Sequence, residues 1–249
     1  MFRENFRNWP PVTKNIIIIN LVIWLAEFLF PSFAENGLYK YCALHFVESE
    51  YFNAGQIFTY MFIHDNQTIF HVFFNMFSLY MFGLILERVW GSKRFLFYYL
   101  ACGIGAAFIQ EAVWWFTWEH DYIQGIAQLN GMTYNSMQQI VDQAFASGNP
   151  QFMQGMEMFR NQLMTVGASG AIFGILLAFA FVFPNMPLYL FFIPIPIKAK
   201  YMVAGYAVIE FFLGVGRTAD SIAHFAHLGG MIFGLAILLY WQSKGKLRM

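Results

Sequence analysis

The stretch that decides the fold is Gly167-Ala168-Ser169-Gly170, which begins an apolar run extending from Ala171 to Phe183. A serine among small residues at the head of such a run is a candidate nucleophile. A second glycine-rich apolar run downstream carries His224 and His227, which are candidate bases. The two runs therefore indicate hydrolytic chemistry inside a bilayer.

The composition independently predicts an integral membrane protein. Hydrophobic residues make up 59% of the 249 residues, aromatic residues 20% and charged residues only 11%, which leaves too little polar surface to coat a soluble globule. The formal net charge of zero argues against a nucleic-acid partner, because phosphate binding requires a basic surface. The two cysteines, Cys42 and Cys102, predict neither a disulfide framework nor a C-x-x-C metal or redox site.

Six apolar runs are candidates for crossing the bilayer. Unpaired backbone groups are too costly in lipid and the runs lack the alternation of barrel strands, so each run must be helical. We therefore predict an all-α, polytopic membrane protein with a bundle of six transmembrane helices. The runs are 15–31, 69–86, 95–117, 169–184, 199–214 and 224–241.

The positions of the basic residues predict the orientation. With the N-terminus in the cytoplasm, 11 of the 14 Lys and Arg residues fall in cytoplasmic segments and 3 on the opposite side, the pattern expected when both termini are cytoplasmic. The 3 outer residues are Lys40, Arg160 and Arg217. This topology puts Ser169, His224 and His227 near the outer ends of their spans, at one depth.

The same topology divides the chain into segments. Residues 1–14 form a cytoplasmic N-terminal segment, 15–241 the membrane domain, and 242–249 a cytoplasmic tail. Within the membrane domain, residues 118–165 form an outer insertion with two predicted amphipathic helices, 136–146 and 149–164, suited to the outer leaflet. Asn149 is the predicted N-cap of the second helix, with Pro150 at its first position.

Other hydrolytic mechanisms fit the sequence less well than serine chemistry does. His224 and His227 are potential zinc ligands, but H-E-x-x-H is absent and no carboxylate lies within a turn of them in their span. Aspartyl chemistry needs two aspartates inside the membrane, and Asp65, Asp121, Asp142 and Asp220 all map to outer loops. We therefore predict neither a metal nor another cofactor.

Four motifs in chain order resemble those of the rhomboid family of intramembrane serine proteases. The first is His71-x-x-x-Asn75, and the second places Gly83, Glu87 and Gly91 at intervals of four. The third is the G-x-S-G motif at 167–170, and the fourth is His227 followed by small residues as far as Gly234. Each motif is weak alone, whereas four in order on the expected spans are specific.

The resemblance assigns roles to individual residues. It implies that Ser169 is the nucleophile and His227 its general base, a dyad without an aspartate, and that His71, Asn75 and the Ser169 backbone N–H form an oxyanion hole. An Asn amide and an imidazole N–H at i and i+4 also share a helix face, as donors to one oxyanion must. Phe173, where many members have Tyr, and His224 are expected to line the cavity. Structural roles are expected for Gly167, Gly170, Glu87, Gly230 and Gly234.

Two functions from different classes follow from the resemblance. The first is a serine endopeptidase that cleaves substrate transmembrane segments near the outer membrane face, with transmembrane proteins and the lipid bilayer as its partners. The second is a catalytically inactive relative that acts as a membrane chaperone or trafficking factor, although the retention of both Ser169 and His227 favours the enzyme. The expected location is a bacterial inner membrane, with the active site opening to the periplasmic or extracellular side. Nothing in the sequence specifies an oligomeric state.

Overall fold

The computed structural model describes residues 8–65, 69–189, 195–216 and 221–247, with side chains from residue 224 in the last segment. The described residues contain eight helices of more than ten residues, joined by shorter helical turns and two small strand pairs. The helices are α1 (Pro11–Leu29), α2 (Ile69–Trp90, with a π-helical turn at Leu79–Gly83), α3 (Ser92–Leu129), α4 (Tyr134–Ala146), α5 (Pro150–Gln162), α6 (Ser169–Val182), α7 (Ala199–Val215) and α8 (Ser221–Ser243).

The helical content and apolar helices confirm an all-α, polytopic membrane protein. By length and hydropathy, α1, α2, α3 and α8 can each cross a membrane. Helix α6 is apolar but has only 14 residues, and α7 has 17. The predicted total of six spans therefore stays a prediction.

Helix α6 occupies the centre of the bundle, and most of its residues are buried. It packs against α8 and α3, which also pack on each other. Glycines allow this close approach: a Cβ on Gly230 of α8 would overlap the backbone carbonyl of Gly170 on α6. On the same helices, a Cβ on Gly174 or Gly234 would press against Cys102 of α3. The small residues of the two motifs thus bring the serine helix and the histidine helix together.

The predicted insertion contains the end of α3 together with helices α4 and α5. Helix α3 has 38 residues, roughly 57 Å at the rise of an α-helix, and so extends well beyond a hydrocarbon core of about 30 Å. Helices α4 and α5 pack against this extension around a second apolar cluster, to which Tyr122, Met137 and Met156 contribute. The predicted N-cap of α5 is confirmed, because the Asn149 side chain accepts hydrogen bonds from the N–H groups of Gln151 and Phe152.

Two antiparallel strand pairs tie loops to the bundle. Strand β1 (Leu44–His45) pairs with β2 (Met164–Thr165), just before the serine motif. Strand β3 (Pro187–Tyr189) pairs with β4 (Pro196–Lys198) between α6 and α7. The first pair anchors the chain that leads into Ser169.

Candidate functional site

A cavity of about 350 Å³ opens where α2, α6 and α8 meet the segment before α6. Its polar lining includes His71, Asn75, Ser169 and His227, together with Tyr60 and Thr165. Phenylalanines form much of the remaining wall, namely Phe70, Phe74 and Phe173. The structure therefore gathers four predicted site residues from three helices around one mostly apolar cavity.

The backbone turn before α6 depends on Gly167. Its φ of 121° lies in a region that residues with a side chain rarely adopt, and its N–H donates to the Tyr60 carbonyl oxygen at 2.9 Å. A Cβ at this position would also lie 2.8 Å from His71 Nε2. Gly167 therefore sets the entry into α6 and leaves room for His71 beside Ser169.

Ser169 and His227 are in direct hydrogen-bond contact. His227 Nε2 lies 2.8 Å from Ser169 Oγ, and both side chains border the cavity. The Phe173 ring stacks on the His227 imidazole with centroids 4.3 Å apart and planes 5° from parallel. This stacking restricts the orientation of the imidazole.

Glu210 of α7 completes a cluster that the sequence did not predict. Its Oε2 lies 2.9 Å from His227 Nδ1 and 2.6 Å from His224 Nδ1. A glutamate in an apolar run was the available signal, because ionisable groups in spans usually face a partner. The prediction against a zinc site rested on the absence of carboxylates from the histidines' own span, whereas Glu210 lies on the neighbouring helix.

These three side chains are also close enough to be considered as a metal site, since one ligand atom from each lies within 4.8 Å of the others. The 2.6 and 2.9 Å separations, however, are hydrogen-bond lengths. Two ligands of one tetrahedral zinc with bonds of about 2.0 Å would lie roughly 3.3 Å apart. The geometry therefore favours hydrogen bonding over metal ligation.

His71 and Asn75 of α2 also line the cavity. Asn75 is 6% exposed, and its Nδ2 is buried without a hydrogen-bond partner among the described residues. His71 Nδ1 accepts a long hydrogen bond of 3.5 Å from the Asp65 N–H, which leaves the proton on Nε2, the atom nearest Gly167. Because Ser169 is the first residue of α6, its own N–H has no acceptor within the helix. His71, Asn75 and Ser169 thus border the same cavity.

A second histidine lies behind His71. The His64 ring is fully buried, with its centroid 5.1 Å from that of His71. Burial, with a smaller contribution from His71, lowers the pKa of His64 to about 3. His64 is therefore neutral at pH 7 and adds no charge beside the cavity.

Comparison with protein-family models matches residues 52–243 to the rhomboid domain. The chain belongs to the rhomboid family. None of the curated protein sequences compared with the chain is similar to it. Rhomboids are mostly serine intramembrane proteases, and the family also contains inactive members.

This rhomboid anchors the loop between α1 and α2 through Gln56. Gln56 is fully buried, and its Oε1 accepts hydrogen bonds from the N–H groups of His45 and Asn53. Its Nε2 donates to the carbonyl oxygens of Tyr51 and Lys40. One amide side chain thus ties the loop to itself and to β1.

Glu87 of α2 contacts the first turn of α1 and does not line the cavity. Its carboxylate accepts hydrogen bonds from the N–H groups of Val12 and Thr13 and from the hydroxyls of Thr13 and Ser92. It therefore caps the first turn of α1 and links α1 to α3. Gly170, Gly230 and Gly234 lie in the helix contacts of the bundle.

Proposed function

We propose that this rhomboid is an intramembrane serine endopeptidase that cleaves transmembrane segments of other membrane proteins. The observation that carries the proposal is the 2.8 Å contact between Ser169 Oγ and His227 Nε2 in a cavity between apolar helices. Family membership alone leaves an inactive relative open, and this contact favours the enzyme.

In the proposed reaction, Ser169 Oγ attacks a peptide carbonyl carbon while its proton moves to His227 Nε2. The imidazolium then gives that proton to the leaving amine, and an acyl-enzyme remains on Ser169. A water molecule, activated by the same imidazole, hydrolyses the ester and regenerates the serine. Besides the peptide substrate and one water molecule, these steps use only the side chains of Ser169 and His227.

The donors that line the cavity stabilise the tetrahedral intermediates of both steps. Asn75 Nδ2, His71 Nε2–H and the Ser169 backbone N–H are neutral and held in place before charge develops. Fixed donors of this kind act most strongly where water is scarce. The unpaired Asn75 amide is best understood as a donor held ready for an oxyanion.

The cavity wall and the charge distribution support the choice of substrate and its side of entry. Phe70, Phe74 and Phe173 offer an apolar surface suited to a segment arriving from the bilayer. The 11 to 3 division of Lys and Arg supports a site near the outer face, which in a bacterial inner membrane opens to the periplasmic or extracellular side.

Active-site labelling tests the proposal directly. Detergent-solubilised protein should react with a fluorophosphonate probe at Ser169 and cleave a transmembrane substrate. Ser169→Ala should lose both activities, and His227→Ala nearly so, because no base then activates the hydroxyl. The matched control is Ser78→Ala, which removes a hydroxyl from an apolar helix but does not line the cavity.

The results separate the enzyme from the inactive relative. Loss of labelling in Ser169→Ala with retention in Ser78→Ala supports the protease. Wild-type cleavage by a folded Ser169→Ala variant would exclude serine catalysis. A folded wild-type protein that binds transmembrane segments without labelling or cleavage would favour the chaperone or trafficking function.

A further inference from the structure

The carboxylate of Glu210 is the one charged group that touches the proposed base among the described residues. It lies on α7, while His227 and His224 lie on α8, so the contact joins two helices. The three side chains are only 14–16% exposed. A carboxylate so enclosed requires hydrogen-bond donors, and the two imidazoles supply them.

The hydrogen bonds at His227 also determine its tautomer. Nε2 must be unprotonated to accept the Ser169 proton, so the single ring proton of the neutral imidazole lies on Nδ1. That N–H points at Glu210 Oε2, 2.9 Å away. An acceptor at this place favours the tautomer that serine activation requires, and a negative charge there stabilises the imidazolium formed during attack.

His224 fixes the carboxylate in turn. Its Nδ1 donates to the same Oε2 at 2.6 Å, so the oxygen accepts hydrogen bonds from two rings one helical turn apart. A glutamate side chain has several rotatable bonds, and a second donor restricts it to one conformation. His224 therefore acts on Glu210, and its effect reaches Ser169 only through Glu210 and His227.

We infer that Glu210 is a positioning residue that holds the proton of His227 on Nδ1 and stabilises the imidazolium. Ser169, His227 and Glu210 then form one chain of hydrogen bonds. The inference rests on the proposed function, because it assigns a role in the same reaction. The Nδ1 proton stays on His227 and Glu210 stays ionised throughout, while the Ser169 proton alone moves to Nε2 and on to the leaving amine.

The surroundings of His227 isolate the effect of Glu210. Among the described residues, the titratable groups that face His227 are Glu210 from α7, His224 on α8 itself and His71 from α2, and the Ser169 hydroxyl of α6 also contacts it. Helix α3 packs against α8 with Ala106 and Ile109 at Gly229, and these are apolar. Removal of the Glu210 charge is therefore expected to act on both His224 and His227, of which His227 is the one that contacts Ser169.

Substitutions at Glu210 should change the rate of chemistry more than substrate binding. We expect Glu210→Gln to lower kcat by about 10²–10⁴ with little change in KM, since an amide can present an N–H to Nδ1 and favour the wrong tautomer. The pH at which activity is half-maximal should also fall, because the imidazolium loses its counter-charge. Glu210→Asp keeps the charge at a longer distance, so its pH profile should stay near that of the wild type with a smaller loss of kcat.

The matched control is Glu111→Gln on α3. Glu111 is also partly buried in an apolar helix, but its carboxylate accepts from the Val47 N–H, away from the histidines. We expect its pH profile to match the wild type. His224→Ala should reduce kcat by no more than about tenfold, since it removes only the second donor.

The outcomes distinguish this inference from the proposed function. Wild-type kcat and pH profile in Glu210→Gln, together with an inactive Ser169→Ala, would overturn the role of Glu210 and leave the serine protease intact. If Glu210→Gln fails to fold, the folded Glu210→Asp protein provides the test. A shift in its pH of half-maximal activity, or an undiminished kcat, would overturn the inference. A Ser169→Ala variant that still cleaves would instead remove the proposed function itself.

Discussion

At the scale of single residues, the buried amide of Asn75 destabilises the folded protein but can donate a hydrogen bond to an oxyanion. A buried amide donor without a partner typically destabilises the folded state by about 1–3 kcal/mol. Among the described residues Asn75 Nδ2 is such a donor, and Asn75 lines the same cavity as His227. The unfavourable burial makes sense if the partner is an oxyanion that exists only during the reaction.

Asn75→Ala should therefore lower kcat by about 10²–10³ without lowering the melting temperature of the detergent-solubilised protein. His71→Ala should cause a comparable loss of kcat, because the remaining donors still hold the intermediate. Turnover and thermal unfolding can be measured on the same samples.

Asn20→Ala provides the contrast on α1. That side chain is also fully buried, but its Nδ2 already donates to the Ile16 carbonyl oxygen at 2.8 Å. We expect Asn20→Ala to reduce stability and leave kcat unchanged. Equal losses of kcat in the two asparagine variants would contradict the oxyanion role of Asn75.

At the scale of helices, the distance between α6 and α8 sets the geometry of the site. Ser169 adjoins Gly170, and His227 lies three residues before Gly230, so the reactive pair is within one turn of the glycine contact. Any added atom at that contact pushes apart the two helices that carry nucleophile and base.

Gly230→Ala should consequently impair both folding and catalysis. Its Cβ meets the backbone carbonyl of Gly170, which cannot move aside as a side chain would. We expect a loss of about 1–3 kcal/mol in stability from overpacking. A displacement near 1 Å at the reactive pair typically costs about 10²-fold in rate. Thermal unfolding and substrate cleavage measure the two effects.

Gly205→Ala on α7 is the matched control for that substitution. A Cβ there meets no atom within 4 Å, and alanine is the better helix former. The control should be at least as stable as the wild type and equally active. A Gly230→Ala protein indistinguishable from it would show that the close contact does not set the site.

At the scale of the whole molecule, the predicted orientation can be tested by chemical labelling. The division of Lys and Arg predicts that the α4–α5 turn is outside and the end of α8 inside. Both segments contain an exposed serine, Ser147 and Ser243. In a Cys42→Ser background, with Cys102 buried, an impermeant maleimide should label Ser147→Cys in intact cells and label Ser243→Cys only after permeabilisation.

The reverse labelling pattern would contradict the orientation and with it the proposed outer position of the site. Labelling of both cysteines in intact cells would contradict the three spans predicted between the α4–α5 turn and the end of α8. Each single-cysteine protein should retain cleavage, since neither serine borders the cavity.

The sequence by itself determined the class of the protein and the approximate positions of its long helices, and it predicted the Ser169–His227 pair. These features are local: apolar runs report spans because lipid excludes unpaired backbone, and the four motifs identify their residues within a few positions of chain. The N-cap at Asn149 was predictable for the same reason.

Only the tertiary structure decided that Glu210 reaches both histidines, that Gln56 anchors the loop between α1 and α2, and that α4 and α5 pack on an extended α3. Glu210 precedes His227 by 17 residues and lies on another helix, where no sequence period relates the two faces. Which residues meet between helices depends on axial rotation and crossing distance, and these follow from the packing of many side chains at once.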